Sequence, residues 1–327
     1  MNSDLDTGWL LLTNDDGIEA VGIQMLVEKL NSRGHKVIVF APSTNHSATG
    51  MRINLMTPIA WRFRDDLKQK WNVNSQNLHL IELDGSPCDT MIVSLDKGLE
   101  HIIPNLVPRL VVSGVNLGPN MSQDSYHSGT MGAAREAGLY GMPAIASSLT
   151  SFDEEGMENA VEATVQLIEQ TLKILPEIPQ NLRRTSLDIS ASHFSSWPES
   201  SSHKNWKEDP IMALRKAFFD GELMLNLNAP PDWSGEFVTT RLGMRWYRDA
   251  ISFDSISHDE QTATFTIGAA SIDHTPVEKS DCDVVMQGKS SISCLPTWPQ
   301  THPLAVDDEL LAWNLKNSNG KYPVWMD

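Results

Sequence analysis

Two adjacent carboxylates, Asp15 and Asp16, follow the run Trp9-Leu10-Leu11-Leu12-Thr13-Asn14. Like charges side by side at the end of a buried strand repel one another unless a cation sits between them. A divalent metal site is one reading of the pair. The other is a solvated turn, with one aspartate capping the next helix and Gly17 relieving the backbone. Ser47 lies in the polar loop after Val37-Ile38-Val39-Phe40, and Asn116 follows Leu110-Val111-Val112-Ser113. Asp15, Asp16, Ser47 and Asn116 are hard oxygen donors at or near the ends of predicted strands, a set that suits Mg2+, Mn2+ or Ca2+ better than zinc. Taken singly, Ser47 also reads as a loop cap, and Asn116 as a turn residue tolerant of a left-handed backbone. Ser128-Gly129-Thr130 opens a helix of small residues carrying Ala133, Ala134 and Ala137. Such a start offers free amides and a positive dipole end to a phosphate, although an ordinary N-cap uses the same residue types. A GxGxxG fingerprint and a GxxxxGK[ST] loop are both absent, which disfavours a dinucleotide enzyme and a P-loop NTPase.

The elements that must position these groups read as an α/β chain. Ile23, Leu26, Val27 and Leu30 repeat at helical spacing and Gly34 closes the segment, so strand, helix, strand and loop form a βαβ unit. Such units build parallel sheets with right-handed crossovers and bind ligands beyond the carboxyl ends of the strands. Asp15-Asp16 and the loop Asn45-His46-Ser47 are therefore expected at one edge. Ser86-Pro87 starts a helix with Cys88, Met91, Ile92, Leu95 and Leu99 on one face. Pro143 to Ser147 is a strand, and Val161, Val165, Ile168, Leu172 and Leu175 mark an amphipathic helix. His193 to Asp209 reads as an exposed excursion, and Leu225-Asn226-Leu227-Asn228 as an alternating strand. The later third offers short alternating runs with few helical periods. The expected fold is a three-layer, Rossmann-like, mostly parallel sheet flanked by helices. Its core spans residues 8–228, a β-rich extension of hairpin and arm spans 229–305, and a tail spans 306–327, with disorder expected only after about Ala305.

At 327 residues with 40% hydrophobic content the chain can bury a large core. No run approaches the ~20 apolar residues that span a bilayer. Met1 to Gly8 lacks the basic start and apolar stretch of a secretion signal. A cytoplasmic location is expected, and the three scattered cysteines are expected to be free thiols. A net charge of −17 argues against a nucleic-acid duplex as partner, yet a cation with backbone amides can still hold a small phosphate ester.

Thr13-Asn14-Asp15-Asp16-Gly17, Asn45-His46-Ser47, Gly85-Ser86-Pro87, Ser113-Gly114-Val115-Asn116-Leu117-Gly118-Pro119-Asn120 and Ser128-Gly129-Thr130 resemble the ordered motifs of the SurE family, the stationary-phase survival nucleotidases. The resemblance runs from about Leu10 to Ser148, and more weakly through Leu225-Asn226-Leu227-Asn228 and Thr240-Arg241-Leu242-Gly243. It implies a metal-dependent phosphatase acting on nucleoside 5'- and in addition 3'-monophosphates. It also implies one divalent ion per subunit, Mg2+ or Mn2+ with Ca2+ as a crystal substitute, and a homodimer or homotetramer built through the extension. Position by position, Asp15, Asp16, Ser47 and Asn116 match the metal ligands, with Asp15 and Asp16 also counted as catalytic. Asn14, Asn120, Ser128, Gly129 and Thr130 match the phosphate and substrate positions. The chain departs from the family pattern at Ser86-Pro87 with Cys88 shifted, at His127 in place of a common tyrosine, and at Ala48 in place of a frequent glycine. In this chemistry water attacks phosphorus while amides stabilise the equatorial oxygens. Direct attack by an aspartate is the competing route, and the missing DxD[ST] arrangement favours water. A non-catalytic nucleotide-sensing oligomer is the alternative function. A nucleotide-sugar glycosyltransferase, suggested by Gly34-His35-Lys36-Val37-Ile38-Val39, ranks lower.

Overall fold

Side chains alternate across a strand, and β1 (Asp6–Thr13) buries both of its faces: Leu10 and Leu12 join one apolar cluster, Trp9 and Leu11 another. The computed structural model describes residues 5–71, 73–179, 205–257, 262–268 and 271–327. On the Leu10 side lie α1 (Val21–Ser32) and α7 (Met157–Ile174). On the Trp9 side lie α3 (Pro87–Val93) and α6 (Gly129–Leu139). The expected periodicities hold, with Ile23, Leu26, Val27 and Leu30 buried on α1 and Val161, Val165 and Ile168 on α7. Gly34, at φ 82°, turns the chain out of α1.

The central strands are β2 (Lys36–Pro42), β4 (Leu78–Leu83), β5 (Leu106–Leu117), β6 (Ala144–Leu149) and β7 (Leu223–Ala229), all running with β1. With edge strand β3 (Trp61–Phe63), β8 (Phe237–Thr240) and β13 (Ser290–Pro296) they form one nine-stranded sheet in the order β3-β4-β2-β1-β5-β6-β7-β13-β8. The chain builds outward from β1 on the β2 side, then returns to build the β5 side. The strand order thus reverses between β1 and β5, the place where open α/β sheets bind ligands. Between these strands lie the short helices α2 (Asp65–Lys70), α4 (Leu99–Ile102) and α5 (Asp124–His127). The helix expected through Leu99 breaks at Asp96 and Lys97, whose backbone leaves helical geometry. Leu95 and Leu99 are buried all the same.

The boundary expected at residue 228 is not a break in the sheet. β8 (Phe237–Thr240) and β13 (Ser290–Pro296), both inside the expected extension, complete it, with β13 antiparallel to β7. The stretch between them forms two separate hairpin sheets. β9 (Met244–Arg248) pairs with β12 (Ser271–Thr275), and β10 (Ile251–Ser257) with β11 (Thr262–Ile267). α9 (Asp281–Val285) then leads into β13. The excursion expected at 193–209 lies outside the described residues up to 204, and Asp209 at its end caps α8 (Pro210–Phe219). The tail is ordered rather than loose. α10 (Asp308–Asn317) buries Leu310, Trp325 packs on Phe218 with ring centroids 5.2 Å apart, and Arg215 holds the Trp325 carbonyl.

α1 and α7 are clamped at their surface by charge. Glu162 on α7 accepts Lys29 at 2.8 Å and Arg33 at 2.7 Å, and Arg33 also reaches Glu169 at 2.9 Å. Burial opposes ionisation of Glu162, but hydrogen bonds from Lys29, Gln166 and Arg33 outweigh it and hold the carboxyl down at about 2. A depressed carboxylate pKa stabilises the fold above the unfolded value of 4.5, and the contribution fades as pH falls toward about 2. Glu162→Gln is expected to cost about 0.5–1 kcal/mol at pH 7, with the loss shrinking below pH 4. Urea melts at both pH values check this, and a pH-independent loss would show that the ion pairs are not its source.

Candidate active site

Asn14 makes the turn that carries the acidic pair. Its Nδ2 donates to the Gly17 carbonyl at 2.7 Å, and Gly17 sits at φ 101°, a left-handed backbone that glycine adopts without strain. Asp15 is thereby sunk to 3% exposure at the switch point, while Asp16 is half-buried beside it. The start of α6 comes against Asp15. The Thr130 amide donates to Asp15 Oδ2 at 3.0 Å and the Thr130 hydroxyl to Oδ1 at 2.5 Å. Such an approach requires glycine at 129, where a Cβ would lie 2.8 Å from Asp15 Oδ2.

The other ligand candidates arrive on neighbouring strand ends. The His46 amide donates to the Asp15 carbonyl at 2.6 Å and Asn45 Nδ2 lies 3.5 Å from Asp16 Oδ1, so the Ser47 loop is pinned to the acidic turn with Ser47 itself exposed. Asp16 Oδ2 accepts the Leu117 amide at 3.2 Å. Asn116 Nδ2 donates to the Gly118 carbonyl at 2.8 Å, which directs Oδ1 to within 3.2 Å of the Thr130 hydroxyl. The register of β5 against β6 shifts between Ser113 and Asn116, and such irregularities re-aim side chains at strand ends.

Electrostatically the pair is in debt. Burial raises the pKa of Asp15, with the Thr130 hydrogen bonds acting the other way. Burial first and the Asp15 charge second push Asp16 up to about 6. Among the described residues neither carboxylate makes an ion pair with a lysine, arginine or histidine. Asn14 precedes them in the chain, and its buried Oδ1 has no hydrogen-bond partner among the described residues. Two carboxylates, an uncompensated carbonyl oxygen and nearby Ser and Asn oxygens fit a hard divalent cation in both charge and donor type. A group of three or more His, Cys, Asp or Glu that could hold a metal ion is absent among the described residues, so the candidate set rests on two aspartates with neutral oxygens.

The structure distributes the expected phosphate positions unevenly. Ser128 is the N-cap of α6, its Oγ accepting the Met131 amide at 3.0 Å, and Thr130 gives both its amide and its hydroxyl to Asp15. Asn14 is fully buried in its turn. Asn120 directs its side chain to Ser148 Oγ at 2.8 Å on β6.

Sequence reasoning gave no role to the residues that hold this loop. Asn228 pairs with the Asn120 backbone in the manner of a neighbouring strand: its Oδ1 accepts the Asn120 amide at 2.9 Å and its Nδ2 donates to the Asn120 carbonyl at 3.2 Å. Asn226 Nδ2 reaches the same carbonyl at 2.8 Å. Asp281, fully buried at the start of α9, accepts the Ser122 amide at 3.2 Å and the Gly243 amide at 2.8 Å. The Asn-Leu-Asn alternation on β7 was the available signal, for an amide on a strand that is buried on both faces must have a partner. Asp281 carried no local signal.

A family model described as Survival protein SurE matches residues 10–249. A 5'-nucleotidase SurE from Prochlorococcus marinus subsp. pastoris is 30% identical over 246 residues, covering 74% of this chain and 71% of the relative. One from Synechococcus elongatus is 39% identical over 165 residues, 49% of this chain and 58% of the relative. The crystal structure of the SurE protein from Aquifex aeolicus superposes with a TM-score of 0.61 at 23% identity, over 90% of this chain and 95% of that one, a likeness of fold. With the family model covering the whole acidic turn, Ser47 loop, Asn116 strand end and α6 start, this chain belongs to the SurE family.

Proposed function

We propose that the chain is a nucleoside monophosphate phosphatase, cleaving 5'- and in addition 3'-monophosphates to nucleoside and phosphate. Asp15, Asp16, Ser47 and Asn116 would hold one divalent cation, Mg2+ or Mn2+, with Ca2+ able to substitute in a crystal. The observation that carries this reading is the carboxylate pair at the β1/β5 switch point, Asp15 buried and Asp16 half-buried, with no lysine, arginine or histidine paired to either among the described residues. The family's curated relatives named 5'-nucleotidase support the substrate class. Neither the sensor nor the transferase alternative gains support from them.

When bound, such a cation supplies Lewis acidity toward a phosphoryl oxygen and neutralises charge on the transferring group. The chain's own residues set the geometry. An ionised carboxylate has about four acceptor positions, so Asp15, oriented by the two Thr130 bonds, and Asp16, oriented by Leu117, both retain capacity for the ion. The positive end of the α6 dipole, shared between Asp15 and the incoming phosphate, favours the anion at Ser128-Gly129-Thr130. Because the lone pairs left free on Asp15 and Asp16 would serve the ion, water is the better nucleophile. Its oxygen bonds to phosphorus, the ester P–O bond breaks, and its proton ends on the departing hydroxyl.

The arm supports assembly as a homodimer or homotetramer. Phe253 and Phe265 face one another at 4.9 Å, are half or more exposed, and share the hairpin with exposed Ile251, Ile256 and Ile267. An apolar patch of this kind marks an interface. A cytoplasmic location is proposed with it, consistent with three free cysteines. No described helix is long and apolar enough to cross a membrane.

Asp15→Asn and Asp16→Asn are each expected to cut phosphate release from AMP by more than about 100-fold, an electrostatic loss of a few kcal/mol. The metal-free melting temperature should hold or rise, because one of two repelling charges is gone. Full activity with Mn2+ in either variant would remove the pair from the metal site. Hydrolysis in 18O-water is expected to label the released phosphate once, with no radiolabel on protein quenched during turnover of 32P-AMP. A trapped aspartyl phosphate would replace the water route. Light scattering should give a multiple of the 36.3 kDa chain mass, reduced by Phe253→Ser with Phe265→Ser. A wild-type monomer at micromolar concentration would exclude the arm as an interface.

A further inference from the structure

Phe152 is an aromatic ring held out into solvent, 74% exposed, beside the end of β5 that carries Asn116 and Leu117. It lies against Gly118, where a Cβ would sit 3.1 Å from Cε1 and 3.3 Å from Cδ1 of the ring. Gly118 therefore leaves the room that the ring occupies. Its neighbour Leu117 donates its amide to Asp16, and its own carbonyl receives Asn116 Nδ2. The ring thus rests on Gly118, which is the chain neighbour of Leu117, the residue whose amide fixes a candidate metal ligand.

The segment presenting Phe152 is fastened on both sides. The Gly118 amide donates to the Leu149 carbonyl at 3.1 Å, and the Thr150 amide to the Ala229 carbonyl at 2.9 Å. Beyond the ring, Asp153 Oδ1 accepts Ser151 Oγ at 2.9 Å and the Glu155 amide at 3.0 Å. Gly156, at φ 83°, packs against Pro231 so closely that a Cβ would fall 2.3 Å from its Cα. A single exposed apolar residue on a surface needs no explanation. An aromatic fixed over an active-site glycine by bonds to two strands is a preorganised flat surface.

Charge sets which end of a ligand could use it. Asp153, Glu154 and Glu155 follow directly and are exposed, so this side of the site repels phosphate. The phosphate end belongs across the site, at the α6 start. What remains for the ring is the neutral planar end of the same molecule.

On the reading of the chain as a nucleoside monophosphate phosphatase, we infer that Phe152 is the stacking platform for the substrate's nucleobase, and so a specificity-determining residue. Stacking on a π-face is tolerant of base identity, so the platform separates nucleotides from sugar phosphates more than one base from another.

The test compares kcat/KM for AMP with that for ribose 5-phosphate, which presents the same phosphate and sugar without a base. Phe152→Ala is expected to lower the AMP to ribose 5-phosphate ratio about tenfold, ~1.4 kcal/mol, through KM for AMP with kcat changed little. Phe152→Trp, which keeps a π-face, should hold or raise the ratio. An unchanged ratio in Phe152→Ala overturns the inference, as does a wild-type ratio of one. A tenfold drop on Tyr126→Ala, an exposed aromatic on α5 just before the α6 start, without one on Phe152→Ala, overturns it too. Wild-type protein that releases phosphate from neither compound would instead defeat the phosphatase reading.

Discussion

The organising constraint in this molecule is a pair of carboxylates that the fold pushes together without a positive partner among the described residues. β1 delivers Asp15 and Asp16 to the sheet edge, burial raises the pKa of both, and each raises the cost of ionising its neighbour. A protein that only had to fold would place one of them elsewhere or supply a lysine. Here the surroundings offer Thr130, Leu117 and Asn45, all neutral donors. Neutral hydrogen bonds orient the carboxylates without cancelling their charge, which leaves the charge available to a ligand. Gly129 belongs to the same solution, since only a residue without Cβ lets the positive end of α6 approach Asp15 this closely.

Holding that arrangement in register is a long-range task. Asn116 and Thr130 sit on either side of a loop with no strand or long helix of its own, and besides Ser148 the fixed points of its Asn120 and Ser122 come from more than 100 residues away. Asn226 and Asn228 supply hydrogen bonds that a neighbouring strand would have given the Asn120 backbone, and Asp281 does the same for Ser122. Buried amides and carboxylates are tolerated there because each has a partner across the gap. Asn226 Oδ1 is an exception, a buried acceptor without one.

How much of this was readable in the residues follows from how local each signal is. β1, α1, β2 and α7 were legible because period and punctuation coincide within each segment, as in Ile23 to Leu30 closed by Gly34. The acidic turn and the α6 start were legible as well, since strand-end carboxylates and a Ser-Gly-Thr helix opening carry their chemistry in adjacent residues. The placement of β8 and β13 was not, because short alternating strands look alike whether they end in a separate hairpin or beside β7. The tail misled for a related reason: Asp307 to Asn317 is polar and weakly amphipathic, and its order comes from Trp325, Phe218 and Arg215 meeting in space. Ser128 and Thr130 were read as a helix start, which the structure shows, without the bonds that Thr130 makes. Propensity finds a helix start, but not that Thr130 spends its donors on Asp15.

The arm and the site share bonds, so they are mechanically one unit at their junction. Ser122, at φ 50°, donates its hydroxyl to the Gly243 carbonyl at 2.9 Å and accepts the Arg245 amide at 3.0 Å. Gly243 and Arg245 stand at the root of β9, where the arm leaves the sheet. A left-handed backbone at a residue with a side chain costs of order 1 kcal/mol or more and persists only where its surroundings over-determine it. The surroundings here are Asp281 on one side and the arm's root on the other. Displacing that root would loosen Ser122, and with it the segment joining Asn116 to the α6 start. An arm kept only for assembly could have been attached anywhere on the surface; this one is rooted in the hydrogen bonds that hold the loop between Asn116 and the α6 start.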